Sequence, residues 1–264
     1  MPEGDTVYRT AKHLNEVMAG TVLTRCDIRV PKFATVDFTG ETVHEVVSVG
    51  KHLLTRVGDH SIHTHLKMEG SWHIYGHGSR WKRPAFEARI LLDNADWSTV
   101  GFALGVVEVV AREDEHTVVG HLGPDLLGPD WDADEALRRM SADPDRAIGL
   151  ALLDQRNLAG LGNVYRAELC FVRGLLPTRP VRDVPDLPGL VDLSRRVIVA
   201  NKDRIERTLT GDLRPGRMTY VYGRKGKPCR RCGTPIERAD LGDPVRPGQG
   251  AQDRVVYWCP RCQT

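Results

Sequence analysis

Four cysteines near the C-terminus stand in two identical spacings, Cys229-Arg-Arg-Cys232 and Cys259-Pro-Arg-Cys262. In a reducing cytosol disulfides are disfavoured, and two C-x-x-C pairs read instead as a tetrahedral thiolate site for one Zn2+, each pair turning tightly around one side of the ion. Four cysteine ligands leave no coordination position for water, so such a zinc is structural rather than catalytic. The interval between Cys232 and Cys259 holds 26 residues, more than the about 15 to 20 of the commonest form. The surplus falls in ADLGDPVRPGQGAQ, whose Gly, Pro and Asp content suggests a loop extension. Cys26 and Cys170 have apolar flanks and read as small buried hydrophobes. His63 and His65 alternate on a strand-like run and form a candidate metal pair, but no third or fourth ligand is in sight, so a structural role is expected. At the other end stands Met1-Pro2-Glu3. Loss of Met1 would expose a secondary amine, and an α-amino group of pKa about 7.7 to 8 keeps a neutral fraction near pH 7. By itself a Met-Pro start is too common to assign catalysis.

These groups need a scaffold. Val7, Ala11, Leu14 and Met18 recur at helical spacing, with Asp5 or Thr6 as N-cap, which places Pro2 and Glu3 just ahead of a helix. From about residue 21 to 111 the pattern turns to short β-branched runs such as EVVSVG, SIHTHLKM, FEARILL and GVVEVVA, broken by Gly, Asp and Asn, which predicts a mostly antiparallel sandwich. LGPDLLGPDWDAD, with two Gly-Pro pairs, predicts a linker over 121–133. Helical periodicity then carries a domain over 134–220: EALRRM, then Ile148, Leu152 and Leu153, then Val164, Ala167 and Phe171, then Leu190, Leu193 and Val197. Within it, Gly160 and Gly162 permit a tight turn before Asn163, which suits an N-cap, and helix, Gly turn, helix is a shape that also binds DNA. Residues 221–264 form the cysteine-bearing module. The predicted class is α+β: an N-terminal β-sandwich of residues 1–120 with a flanking helix, a helical domain and a small metal module.

The chain has 264 residues with Lys+Arg 37 against Asp+Glu 35 and 41% hydrophobic content, enough to build real cores and incompatible with collagen-like or disordered classes. The near-neutral total conceals an asymmetry. Residues 201–264 carry 14 Lys+Arg against 7 Asp+Glu, while the remainder carries 23 against 28. A basic C-terminal segment is a polyanion footprint or a solvated face. No stretch nears the roughly 18 consecutive apolar residues of a membrane helix, and no signal-like segment opens the chain, so a cytoplasmic protein is expected.

Taken together, MPEG at the start, VGKHLL at 49–54, HLKMEGSW at 65–72, LGPDLL at 122–127, QRNLAGLGNVYRAE, VYGRKGKPCRRCGTPIER and DRVVYWCPRCQ resemble the formamidopyrimidine-DNA glycosylase and endonuclease VIII family, in order and over nearly the whole chain. The resemblance implies a bifunctional DNA glycosylase with AP lyase activity, made of a β-sandwich, a helix-two-turn-helix domain and a zinc finger. It makes Pro2 the nucleophile that forms a Schiff base with the deoxyribose, and Glu3 the general acid/base. It makes Lys51 a phosphate-holding lysine, Asn163 and Arg254 contacts to the DNA backbone, and Met68 the side chain that fills the gap left by an extruded nucleotide. Cys229, Cys232, Cys259 and Cys262 would hold one structural zinc. The implied partner is damaged duplex DNA, with single-stranded or bubble DNA a further candidate, and the implied state is a nucleoid-associated monomer.

Two departures point to a branch. Purine-directed members usually begin MPELPE and carry a DPRRFG-like segment, whereas this chain has MPEGDT, with Thr6 in place of the usual Glu, and VGFALGVVEV. Gly4 and the missing arginine pair favour the endonuclease VIII branch, which takes oxidised pyrimidines. A purine-directed enzyme with an altered opposite-strand reader and a non-catalytic DNA-binding homologue stay open as alternatives.

Overall fold

The structure is a computed structural model that describes residues 2–243 and 254–264. Met1 and most of the expected loop extension lie outside the described residues. The chain divides after His121 into two compact units.

The first unit opens with α1 (Gly4–Met18). Val7, Ala11, Leu14 and Met18 are all buried, so the helical spacing seen in the sequence is the face that packs on the sandwich. The N-cap is Glu3 rather than Asp5 or Thr6: its carbonyl accepts the N–H groups of Thr6 and Val7, while the Asp5 carboxylate, inside the first turn, accepts the Thr6 N–H at 2.7 Å. Short polar residues advertise a cap, but within the first turn they serve the same unpaired N–H groups from inside the helix.

Eight strands follow: β1 (Arg25–Ile28), β2 (Val43–Val49), β3 (His52–Val57), β4 (His60–His65), β5 (Ser71–Gly76), β6 (Ala88–Asp93), β7 (Trp97–Phe102) and β8 (Val106–Ala111). They form two four-stranded sheets, ordered β1-β6-β7-β5 and β2-β3-β4-β8, with every pairing antiparallel. The period of two is visible on β6, where Ile90 and Leu92 join the main core with Leu53, Ile62 and Leu66, while Leu91 turns to a second cluster with Val100 and Phe102. The β2–β3 hairpin closes through Gly50 and Lys51, with Val49 opposite His52. Gly50 takes φ +58°, as the leading residue of a two-residue hairpin of the Gly-X kind must.

The second unit contains, after the one-turn α2 (His116–Val119) that ends the first, α3 (Ala133–Ser141), α4 (Ile148–Ala151), α5 (Asn163–Val172), α6 (Leu187–Asn201) and the hairpin β9 (Glu237–Leu241)/β10 (Arg254–Trp258). The expected linker is in part core. Leu126 is fully buried with Ile148, Leu152 and Leu158, and its N–H donates to Ala159 O at 3.2 Å. Gly-Pro pairs gave the segment a turn-like composition, but the leucines between them are large enough to anchor it. The α+β class, the sandwich and the helical domain are as the sequence led one to expect. No helix among the described residues is long and apolar enough to cross a membrane.

Candidate active site and nucleic-acid interface

In the first unit, Pro2 is half-buried and Glu3 has 0% of its surface exposed, at the foot of α1. A carboxyl so enclosed is held by its surroundings, as proton transfer at a fixed point requires. Lys51 sits half-buried in the β2–β3 turn. Met68 belongs to the β4–β5 connection and is 59% exposed, so it is not a core residue. That connection is tightly built. Gly70 N–H donates to Leu66 O at 2.9 Å, and a Cβ on Gly70 would collide with that carbonyl. Lys67 takes φ +53° and its N–H donates to His65 Nδ1 at 2.9 Å. The turn thus presents Lys67, Met68 and Glu69 outward, and His65 links it to Lys51, whose charge acts on the His65 ring. His63 and His65 do not form a metal pair. His63 bonds to Glu108 and His52, and His65 to the Lys67 backbone.

In the second unit, Asn163 is the first residue of α5, and the N-cap is Gly162, in extended conformation with φ −129°. Gly160, at φ +116°, makes the preceding turn, and Gln155 holds it, donating to Leu153 O and Leu161 O and accepting from Gly160 N–H. Asn163 and the strand that begins at Arg254 are joined by Arg166, a residue the sequence did not single out. Arg166 is fully buried, and its Nη2 donates to Asn163 Oδ1 at 3.0 Å and to Val255 O at 2.6 Å. With its oxygen so engaged, Asn163 has its amide NH2 left to offer an anion beside the helix N-terminus. The same guanidinium holds the strand that begins at Arg254, which is itself exposed. Truncation by Arg166→Ala would remove the donor of the buried Asn163 Oδ1 and of the half-buried Val255 carbonyl. At about 1–3 kcal/mol for the buried acceptor and less for the one that water can reach, denaturant unfolding should show the second unit destabilised by about 1–4 kcal/mol.

The four cysteine sulfurs lie within 4.8 Å of one another, with Cys229 and Cys262 Sγ 4.0 Å apart and Cys232 and Cys259 Sγ 3.5 Å apart. A tetrahedral ion with metal–sulfur bonds of about 2.3 Å requires edges of about 3.8 Å, so the donor set fits one metal ion. Among the described residues no other His/Cys/Asp/Glu group has such geometry. The module is fastened to α5: Cys229 and Cys259 share a buried cluster with Ala167, Phe171, Val221 and Ile236. Glu168, fully buried on the same helix, accepts N–H bonds from Tyr220, Val221 and Tyr222 at 2.6, 2.9 and 2.8 Å. Burial pushes its carboxyl above the ordinary range, against the pull of those three donors. Gln263 closes the far side, accepting from Cys259 N–H and donating to Leu175 O, both at 2.8 Å.

Residues 1–103 match the family model of the formamidopyrimidine-DNA glycosylase N-terminal domain, and residues 122–187 match its H2TH domain. The chain belongs to the formamidopyrimidine-DNA glycosylase family. Over its full length it is 51% identical to a protein of Streptomyces coelicolor named probable endonuclease 8 2, covering 94% of that protein. It is 52% identical over its full length to the DNA-(apurinic or apyrimidinic site) lyase Nei2 of Mycolicibacterium smegmatis, covering 99% of it. A formamidopyrimidine-DNA glycosylase of Exiguobacterium is 30% identical, over 100% of this chain and 99% of that one. Family resemblance read from the motifs therefore holds, and these relatives put the chain nearer to endonuclease 8 proteins. The fold is that of Lactococcus lactis formamidopyrimidine-DNA glycosylase bound to DNA containing an AP site, with TM-score 0.80, 20% identity and 99% of each chain covered.

Proposed function

We propose that the protein is a bifunctional DNA glycosylase and AP lyase of base excision repair, acting on oxidised pyrimidines in duplex DNA. The observation that carries this reading is the Pro2-Glu3 pair, with Glu3 wholly enclosed ahead of α1, in a chain of this family. After loss of Met1, the Pro2 amine attacks C1′ as the bond to the damaged base breaks. Glu3 delivers a proton to the sugar ring oxygen, and the ring opens to an iminium at C1′. The iminium accepts electrons, so a C2′ proton is lost and the C3′–O bond breaks. A second elimination then breaks the C5′–O bond, and water releases the sugar fragment from Pro2. Lys51, Asn163 and Arg254 hold phosphates, and Met68 enters the stack where the nucleotide has left. Cys229, Cys232, Cys259 and Cys262 hold Zn2+, which supplies rigidity to the strand bearing Arg254 and takes no part in bond breaking.

Borohydride reduction during reaction with an abasic-site oligonucleotide should trap a covalent complex, and Pro2→Gly should trap far less. With Met1 shown to be removed, absence of the wild-type complex would reject the amine mechanism. Strong excision of 8-oxoguanine with none of thymine glycol or dihydrouracil would move the protein to the purine-directed branch.

A further inference from the structure

The histidines of β3 and β4 have no task in the chemistry above, yet their arrangement is specific. In the strand register His52 lies opposite His65, and His63 opposite Glu108 of β8. His63 Nδ1 is 3.0 Å from Glu108 Oε2, and His63 Nε2 is 2.8 Å from His52 Nδ1. A carboxylate only accepts, so His63 carries its proton on Nδ1 and its Nε2 accepts from His52 Nδ1–H. The remaining nitrogen of His52, Nε2, therefore bears a lone pair. Its ring is stacked on His63 with centroids 5.0 Å apart and meets His65 and His121 edge-on at 5.0 and 5.8 Å. His65 has the opposite polarity: its Nδ1 accepts from Lys67 N–H, so its Nε2 carries the hydrogen.

The groups that act on this cluster are Lys51 from the β2–β3 turn, Lys67 from the β4–β5 turn, His121 beyond α2, and Glu108 behind His63. Burial first, then the neighbouring histidines and Lys67, hold His52 down to about 3. Burial, Lys67 and Lys51 hold His65 down to about 4. Burial is the larger cause and an anion does not relieve it; what an anion adds is cancellation of the lysine repulsion and an acceptor for the hydrogen of a protonated ring, both of which favour the charged form.

We propose that Glu108, His63 and His52 form a proton-coupled phosphate clamp, in which His52 takes up a solvent proton at Nε2 as a DNA phosphodiester docks between Lys51 and Lys67. The proposal rests on the DNA-directed reading above; its new element is the proton and the two residues that receive its charge. In the docked state His52 Nε2–H donates to a phosphate oxygen, His52 Nδ1–H stays on His63, and the Glu108 carboxylate stabilises the positive charge through His63. Docking raises the His52 pKa above its free value. Affinity is then flat above the bound-state pKa and rises by up to about tenfold per pH unit as pH falls below it, the limit for one linked proton.

The test uses the whole protein and a duplex bearing an uncleavable tetrahydrofuran abasic analogue. Affinity is measured by fluorescence anisotropy from about pH 8 to about pH 5, where histidine charge is decided, and calorimetry in buffers of different ionisation enthalpy counts protons. The expected result is close to one proton taken up by the wild type, loss of that proton in His52→Gln, and a rise displaced to lower pH in Glu108→Gln. A wild-type slope retained in His52→Gln, or an unmoved midpoint in Glu108→Gln, overturns the clamp. Should His52→Gln not fold, nitrogen NMR of the wild-type rings gives the same decision: His52 Nε2 must pass from unprotonated to protonated on binding. Titration with inorganic phosphate in place of duplex separates a general phosphate site from one that requires DNA. Borohydride trapping on a cleavable duplex is the control: trapping without proton uptake sinks the clamp alone, and absence of trapping sinks the functional reading.

Discussion

Glu3→Gln should leave DNA binding intact and reduce base excision by about 10²- to 10⁴-fold, the range that a positioned general acid/base contributes. The substitution keeps the shape and removes only the ability to give and take a proton. Because Glu3 has 0% exposure, bulk water has no direct route to replace it. The Pro2 amine is untouched, so Schiff-base chemistry on a ready-made abasic site should suffer less than excision of a base, and the two are separable in single-turnover assays with damaged and abasic duplexes. Excision at the wild-type rate in Glu3→Gln would remove Glu3 from the mechanism.

The second large effect is expected from metal removal. Cys259→Ala, or chelation, should unfold the cysteine module and reduce lesion binding by at least about tenfold, since structural zinc in small modules supplies about 10–16 kcal/mol of folding free energy. Damage should not stop at the module's sequence boundary. Phe171 and Ala167 of α5 share the module's buried cluster, and Glu168 holds its entry segment through three N–H bonds, so the C-terminal half of α5 should lose hydrogen-exchange protection with it. The first unit should keep its protection, because its cores draw on no residue beyond Val109. Hydrogen-exchange mass spectrometry of metal-free protein gives the result directly. Full protection of residues 163–172 without metal would show that α5 stands by itself.

What the sequence revealed depended on how local the determining contacts were. The buried stripe of α1, the strand run that became β6 and the two C-x-x-C turns are decided by neighbours a few residues away, and each was legible. Arg166 was not. An arginine in a helix of a protein with 37 basic residues reads as solvated charge, and its burial depends on the Val255 carbonyl, 89 residues further on. His63 was read as structural, but its partners were not legible, for a similar reason. Its partners, His52 and Glu108, stand on the strands to either side, and only the register of β3, β4 and β8 brings them to it. The segment 121–133 was read from its Gly-Pro pairs as a linker, and composition gave no sign that Leu126 within it is buried in the helical core.

α5 is ten residues long and carries Asn163 at its first position, Arg166 one turn on, and Glu168 and Phe171 against the cysteine module. Such a helix cannot respond to one end without the other. Thermodynamic reciprocity then applies: whatever factor an occupied cysteine site adds to the grip on the phosphate backbone, the backbone must return as a tighter hold on the metal. With a metal at the four cysteines as proposed, a molecule engaged on DNA would hold it against a higher concentration of competing chelator than one in transit, and depletion would fall first on the copies not at work.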